Sequence, residues 1–144
     1  MKTRDIRVNK ELIMKYETCI EGLDNFNKHY TDISIKTLIN SEKISYDDKI
    51  WLLRIIVPKE LMVLWSIDSA FAAYEYSVIY SVYWDFASNA ASNAANAASD
   101  YPNAAHYAVI AASNAANYAA SDSFSWNEAK NERLQSLLYF IEWE

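Results

Sequence analysis

The stretch Ala91-Ser92-Asn93-Ala94-Ala95-Asn96 recurs as Ala112-Ser113-Asn114-Ala115-Ala116-Asn117, and both copies run on into Ala-Ala-Ser-Asp, at 97–100 and 119–122. A repeat of this length is one helix plus its turn. Alanine is the strongest helix former and offsets the poorer propensity of the interleaved asparagine and serine. On a helix, Ala90/Ala91, Ala94/Ala95 and Ala97/Ala98 form one stripe, with Asn89, Asn93 and Asn96 at i, i+4 and i+7 beside it. A stripe of methyl groups lets neighbouring backbones approach closely, so it reads as a packing face.

The rest of the composition agrees. Of 144 residues, 52% are hydrophobic, 15% aromatic and 22% charged, which suits one domain with a real core and excludes a disordered tail. One glycine and two prolines leave too little turn chemistry for an all-β fold. The expectation is an all-α fold: a compact multi-helix bundle with the Ala/Asn/Ser-rich repeat in its carboxyl half. It is read as a single domain over 1–144, with short mixed-charge helices in 1–57 and longer alanine- and aromatic-rich ones in 58–144. A lone cysteine, Cys19, cannot form an internal disulfide. Met1-Lys2-Thr3-Arg4-Asp5 is not followed by a signal-peptide core, and the most apolar stretch, Leu61 to Trp84, carries Asp68 and Glu75. These features predict a cytoplasmic protein without a membrane span.

Charge is segregated. Residues 1–59 hold 11 Lys/Arg and 9 Asp/Glu, whereas residues 60–129 hold 7 Asp/Glu and no Lys/Arg. Such a block repels phosphate backbones, which argues against long nucleic acid as a partner. It either keeps an apolar bundle soluble or presents an acidic face to a basic protein.

Local signals divide the chain further. Asn9 caps a helix bearing Leu12, Ile13 and Tyr16, and Gly22 is placed to end or bend it. Asp32 or Ser34 opens a short segment with Ile35, Leu38 and Ile39, and Ser45 caps a helix carrying Ile50, Trp51 and Leu53. Pro58 closes that element and fits the first turn of the next. One helix from Glu60 to Asp100 would be about 60 Å long, so a break is expected near Ser66-Ile67-Asp68-Ser69. Pro102 starts a further helix, and Ser123 or Ser125 caps the last, with Glu128 completing a capping box after Ser125.

Catalytic patterns are missing. Two histidines, His29 and His106, are too few for a multi-histidine metal site, and neither has a partner at helical spacing. Residues 23–144 contain no glycine, whereas phosphate cradles and oxyanion loops use glycine to bring backbone N–H groups close to a ligand. His106 with Asp100 or Asp85 is the one acid–base pairing to weigh, and it would make the chain a small hydrolase. No cofactor is indicated. The asparagines are either solvated or paired across helices, or they line a pocket. In that case Asn93, Asn96, Asn114 and Asn117, flanked by Tyr83, Trp84, His106, Tyr107 and Tyr118, would bind a nucleotide-like molecule, with Arg54 or Arg133 against its phosphates. Tyr74 and Tyr76 cannot face the same way on a helix, so some tyrosines lie at the surface or an interface, where tyrosine is a frequent anchor.

The segment Cys19-Ile20-Glu21-Gly22-Leu23-Asp24-Asn25-Phe26 resembles an amino-terminal element of small bacterial and phage proteins in which a Cys, a Gly and an aromatic keep this spacing. The helix around Trp51-Leu52-Leu53 follows in the same order, and the alanine-rich carboxyl half is similar to immunity-protein-like families that accompany toxins or phage conflict genes. The chain departs from them in using Asn and Ser where they carry Arg, Asp or Glu. The resemblance implies a non-enzymatic binding protein that neutralises a protein or a nucleotide-like signal stoichiometrically, and it carries over no functional residue. Alanine-faced helices and surplus aromatics add the expectation of a homo-oligomer. A structural or assembly protein of a phage is the alternative.

Overall fold

The computed structural model describes residues 1–16, 20–80, 84–120 and 125–144; within them the side chains of 20, 76–80, 84–86, 118 and 120 are not described. The described chain is predominantly helical, with one very small sheet. It falls into two compact units, Met1–Val57 with Glu144, and Pro58–Trp143, so the division comes where the supply of basic residues stops.

In the first unit, β1 (Arg7–Asn9) leads into α1 (Lys10–Lys15) and β2 (Asp32–Ser34) leads into α3 (Ile35–Asn40). The strands pair antiparallel, with Val8 opposite Ile33. This sheet was not expected, and its origin is local. A helix N-cap needs extended backbone, and the last residue of each strand is such a cap. The Asn9 side chain accepts from the Leu12 N–H at 3.0 Å, and the Ser34 hydroxyl from the Thr37 N–H at 3.1 Å. One residue before each cap, Val8 and Ile33 turn into the core, and Arg7 Nε closes the outer edge on Asp32 Oδ1 at 2.6 Å. The remaining helices are α2 (Ile20–His29) and α4 (Tyr46–Ile56), the latter capped by Ser45 as expected. Gly22 does not end a helix but lies inside α2, where a side chain would meet the Asp48 carboxylate. Cys19 lies outside the described residues.

Lys49 is buried in this unit, and its Nζ donates to the carbonyls of Ile39 at 2.8 Å and Ser41 at 2.6 Å. It thereby satisfies acceptors that the end of α3 leaves open. Burial lowers its pKa from the ordinary lysine value.

The second unit consists of α5 (Lys59–Tyr80), α6 (Trp84–Ser99), a 3-10 turn over Tyr101–Asn103, α7 (Ala104–Ala120) and α8 (Trp126–Glu142). The break expected near Ser66–Ser69 is absent; α5 runs on to Tyr80. Those polar residues do not stop the helix because each has a partner. Ser66 Oγ bonds the Val63 carbonyl at 2.6 Å, while Asp68 and Ser69 reach Arg133 on α8. Pro58 stands one position earlier than expected, at the cap, its carbonyl accepting from the Met62 N–H at 3.1 Å. Ser125 caps α8, its hydroxyl accepting from the Glu128 N–H at 3.2 Å; Ser123 lies outside the described residues.

Alanine sets the packing here. Ala73, Ala87, Ala90 and Ala115 form one buried cluster, and Ala116, Ala119 and Ala129 another. Helix α7 packs against α5, α6 and α8, and α6 against α5 and α7. The two repeat copies therefore occupy different surroundings: Ala112 and Ala116 on α7 are buried, while their counterparts Ala91 and Ala95 on α6 are exposed. Trp65 is the largest wholly enclosed side chain among the described residues, and its indole N–H donates to the Arg133 carbonyl at 2.9 Å.

Candidate functional site

The structure brings two of the candidate residues together. Asn93 and Asn114, equivalent positions of the two repeat copies, meet across α6 and α7: Asn93 Nδ2 donates to the Asn89 carbonyl at 2.8 Å and lies 3.4 Å from Asn114 Oδ1. Asn96 is exposed and Asn117 half-buried. His106 is exposed near the start of α7, its ring edge-on to that of Tyr107 at 5.4 Å. Asp100, one of the two acids considered for it, accepts from Asn103 Nδ2 at 3.0 Å; the side chain of Asp85, the other, is not described. Tyr83 lies outside the described residues, and the side chains of Trp84 and Tyr118 are not described. Among the described residues no three His, Cys, Asp or Glu side chains are grouped to hold a metal ion. No described helix is long and apolar enough to cross a membrane.

Arg133 stands apart from the asparagines, in a polar cluster joining α5 to α8. Its side chain is only 7% exposed, and Nη1 contacts Asp68 Oδ2 at 3.1 Å and Ser69 Oγ at 3.4 Å. The Ser136 hydroxyl bonds the same carboxylate oxygen, and Glu132 lies 3.7 Å from Nη2. A guanidinium held by a carboxylate, a hydroxyl and its own helix neighbour is structural in this position.

A line of exposed apolar side chains runs elsewhere, along α5. Leu64, Ile67, Phe71 and Tyr74 are 45%, 39%, 65% and 55% exposed. Their intervals of three, four and three place them in one line along the helix. The opposite side of α5 is buried through Leu61, Met62, Trp65 and Ala73, so the helix is apolar on two opposite sides while the described neighbours cover one of them. Between this line and α6 runs an open groove of about 360 Å³, lined by Ile67, Ala70, Phe71, Tyr74, Ala91 and Ala94. The groove exists because α6 contributes methyl groups where a larger side chain would fill the space.

Acids flank the line. Glu60 precedes Leu64 by one turn, and Glu75 follows Phe71 by one turn; both are exposed. The Glu60 carboxylate accepts from the Tyr101 phenol, which holds its pKa below the ordinary value; the adjacent Lys59 ammonium adds to this, and burial opposes it. The Tyr101 pKa is raised in turn. Lys59 Nζ lies 5.6 Å from the centre of the Tyr101 ring. These contacts set the residues just beyond α6 beside the start of α5, so the two helices that border the groove run antiparallel.

The sequence places some tyrosines of this region at the surface, but Leu64, Ile67 and Phe71 are not among the expected surface residues. The available signal was the Leu64-Ile67-Phe71-Tyr74 spacing, which duplicates on one side of the helix an apolar face already present on the other. The first unit has a separate cavity of about 240 Å³ lined by apolar residues that include Phe26, Trp51 and Leu52, together with Asp47 and Asp48.

No protein-family model matches this chain, and neither curated proteins nor solved structures provide a match.

Proposed function

We propose that this protein is a non-enzymatic binding protein of a bacterial or phage conflict system, and that it neutralises a protein target by stoichiometric binding at the α5–α6 groove. The observation that carries this reading is the exposed line Leu64, Ile67, Phe71 and Tyr74 beside an open apolar groove. Contiguous apolar surface rimmed by polar residues marks interaction sites in soluble proteins, and large aromatic side chains supply much of the binding energy at such sites. The conflict-system setting rests on the resemblance of Cys19–Phe26 and of the alanine-rich half. A protein target is favoured over a nucleotide-like signal because Arg133, the one of the two candidate cations that belongs to the same unit as the asparagines, is buried and bound to Asp68.

The test is purification of the full chain from cells with an active toxin or defence system, beside Phe71→Asp and Tyr74→Asp variants. Both side chains are more than half exposed, so the variants keep the wild-type circular dichroism. The expected result is a one-to-one complex with a protein whose activity it suppresses, lost in both variants. A small molecule co-eluting equally with all three proteins would refute the reading.

A further inference from the structure

We propose that the occupant of the α5–α6 groove is an amphipathic helix of another protein, with an apolar seam flanked by lysine and arginine. This rests on the protein-binding reading and adds the shape and charge of what is bound. The shape follows from spacing. Intervals of three, four and three are the 3.5-residue repeat by which one helix pairs with another, and Leu64 to Tyr74 spans about 15 Å of α5, a length matched by three turns of a partner helix. The groove floor at Ala70, Ala91 and Ala94 consists of methyl groups, so a second helix can approach closely, as α7 does on the inner side of the same helices.

Charge decides what flanks that seam. Glu60 and Glu75 border the line, Asp68 is engaged by Arg133 and Ser136, and residues 60–129 contain no lysine or arginine. Lys59, the neighbouring cation, is drawn over the Tyr101 ring. Basic side chains flanking the incoming seam would therefore meet carboxylates, which steers encounter and fixes register. A second copy of this chain meets the opposite condition. Pairing the same face with itself sets acids against acids, Glu60 near Glu75 if antiparallel and each against its own copy if parallel. Residues 58–143 carry three Lys/Arg against nine Asp/Glu, so the wider field opposes it too.

The experiment uses the full chain and three synthetic helical peptides of about 18 residues. All have leucines at three-four-three spacing; one is flanked by lysine and arginine, one by glutamate, and one has the basic composition in scrambled order. Binding is read by fluorescence anisotropy, with sedimentation of the protein alone. The expected result is one-to-one binding of the basic peptide, at least about tenfold tighter than either control, weakening about tenfold as salt rises from about 50 to about 300 mM. Phe71→Asp or Tyr74→Ser should reduce it about 30-fold or more, and Glu60→Gln with Glu75→Gln should remove most of the salt dependence. If the glutamate-flanked peptide binds equally well and Phe71→Asp still abolishes binding, the basic partner is refuted while the groove remains a protein site. A dimer of the protein alone that Phe71→Asp dissociates would replace the proposed occupant with a second copy. If no peptide binds and the protein alone stays monomeric, the helical occupant is refuted, and the reading of the groove as a protein site is then decided by the co-purification above.

Discussion

Deleting the Asp68 carboxylate should cost more than deleting the guanidinium it holds, although the two belong to the same pair. In Asp68→Ala, Arg133 keeps a charged group that is 7% exposed, with Ser69 Oγ at 3.4 Å and Glu132 at 3.7 Å as its remaining partners, and the Ser136 hydroxyl loses its acceptor. Removing one member of a wholly buried pair costs about 3–5 kcal/mol. Asp68 is 41% exposed, so water reaches the vacated space and the figure falls to about 2–3 kcal/mol. In Arg133→Met the aliphatic stem stays packed, the uncharged side chain suits a buried site, and Asp68 rehydrates while keeping Ser136. That change should cost about 1 kcal/mol or less. The double variant should resemble Arg133→Met alone, because without the guanidinium there is no buried charge to strand. Urea titration followed by circular dichroism, with the slope constant across the four proteins, measures the difference. Arg133→Met as costly as Asp68→Ala, or a double variant equal to the sum of the singles, would show that the pair does not work as described.

Other outcomes follow from the same physics. Ala90→Leu, at a fully buried position of the alanine cluster, should destabilise by about 1–3 kcal/mol, whereas Ala95→Leu, exposed on the same helix, should be close to neutral; thermal unfolding separates them. Lys49→Met leaves the Ile39 and Ser41 carbonyls without their donor, and amide exchange in α3 should speed up as the first unit loses about 1–3 kcal/mol. Burial lowers the Lys49 pKa, so the unfolded chain binds the extra proton between the lowered value and the ordinary lysine one. The first unit should gain stability as pH rises through that window, and Lys49→Met should flatten the slope. Glu60 has the opposite sense. Its lowered pKa means that its contribution is present above the ordinary glutamate value and lost as pH falls through the folded one. An NMR titration should find the Glu60 pKa moving up in Tyr101→Phe.

What the sequence disclosed depended on how far away the deciding partner lies. The caps Asn9, Ser34, Ser45 and Ser125 were legible because a side-chain oxygen and an N–H three residues on suffice to define them. The Ser66–Ser69 segment does not break the helix for the converse reason: Asp68 and Ser69 are satisfied by Arg133 and Ser136, more than 60 positions away. Gly22 likewise reads as a residue that ends or bends a helix, yet α2 continues through it. Strands of three residues carry too little alternation to register. For the candidate site, the repeat drew attention to Asn93 and Asn114, which do meet, but as partners of each other. The line on α5 stayed hidden because a helix apolar on two opposite sides does not announce which side its neighbours leave open.

The unequal settings of the two repeat copies bear on how this gene can change. The Ala-Ser-Asn segment writes the same letters twice, yet the fold buries the copy on α7 more fully than the copy on α6. Point mutation can enlarge Ala95 at little cost, while enlarging the buried Ala116 is destabilising. The exposed positions of the outer copy are thus free to drift, and the inner copy is held to small residues.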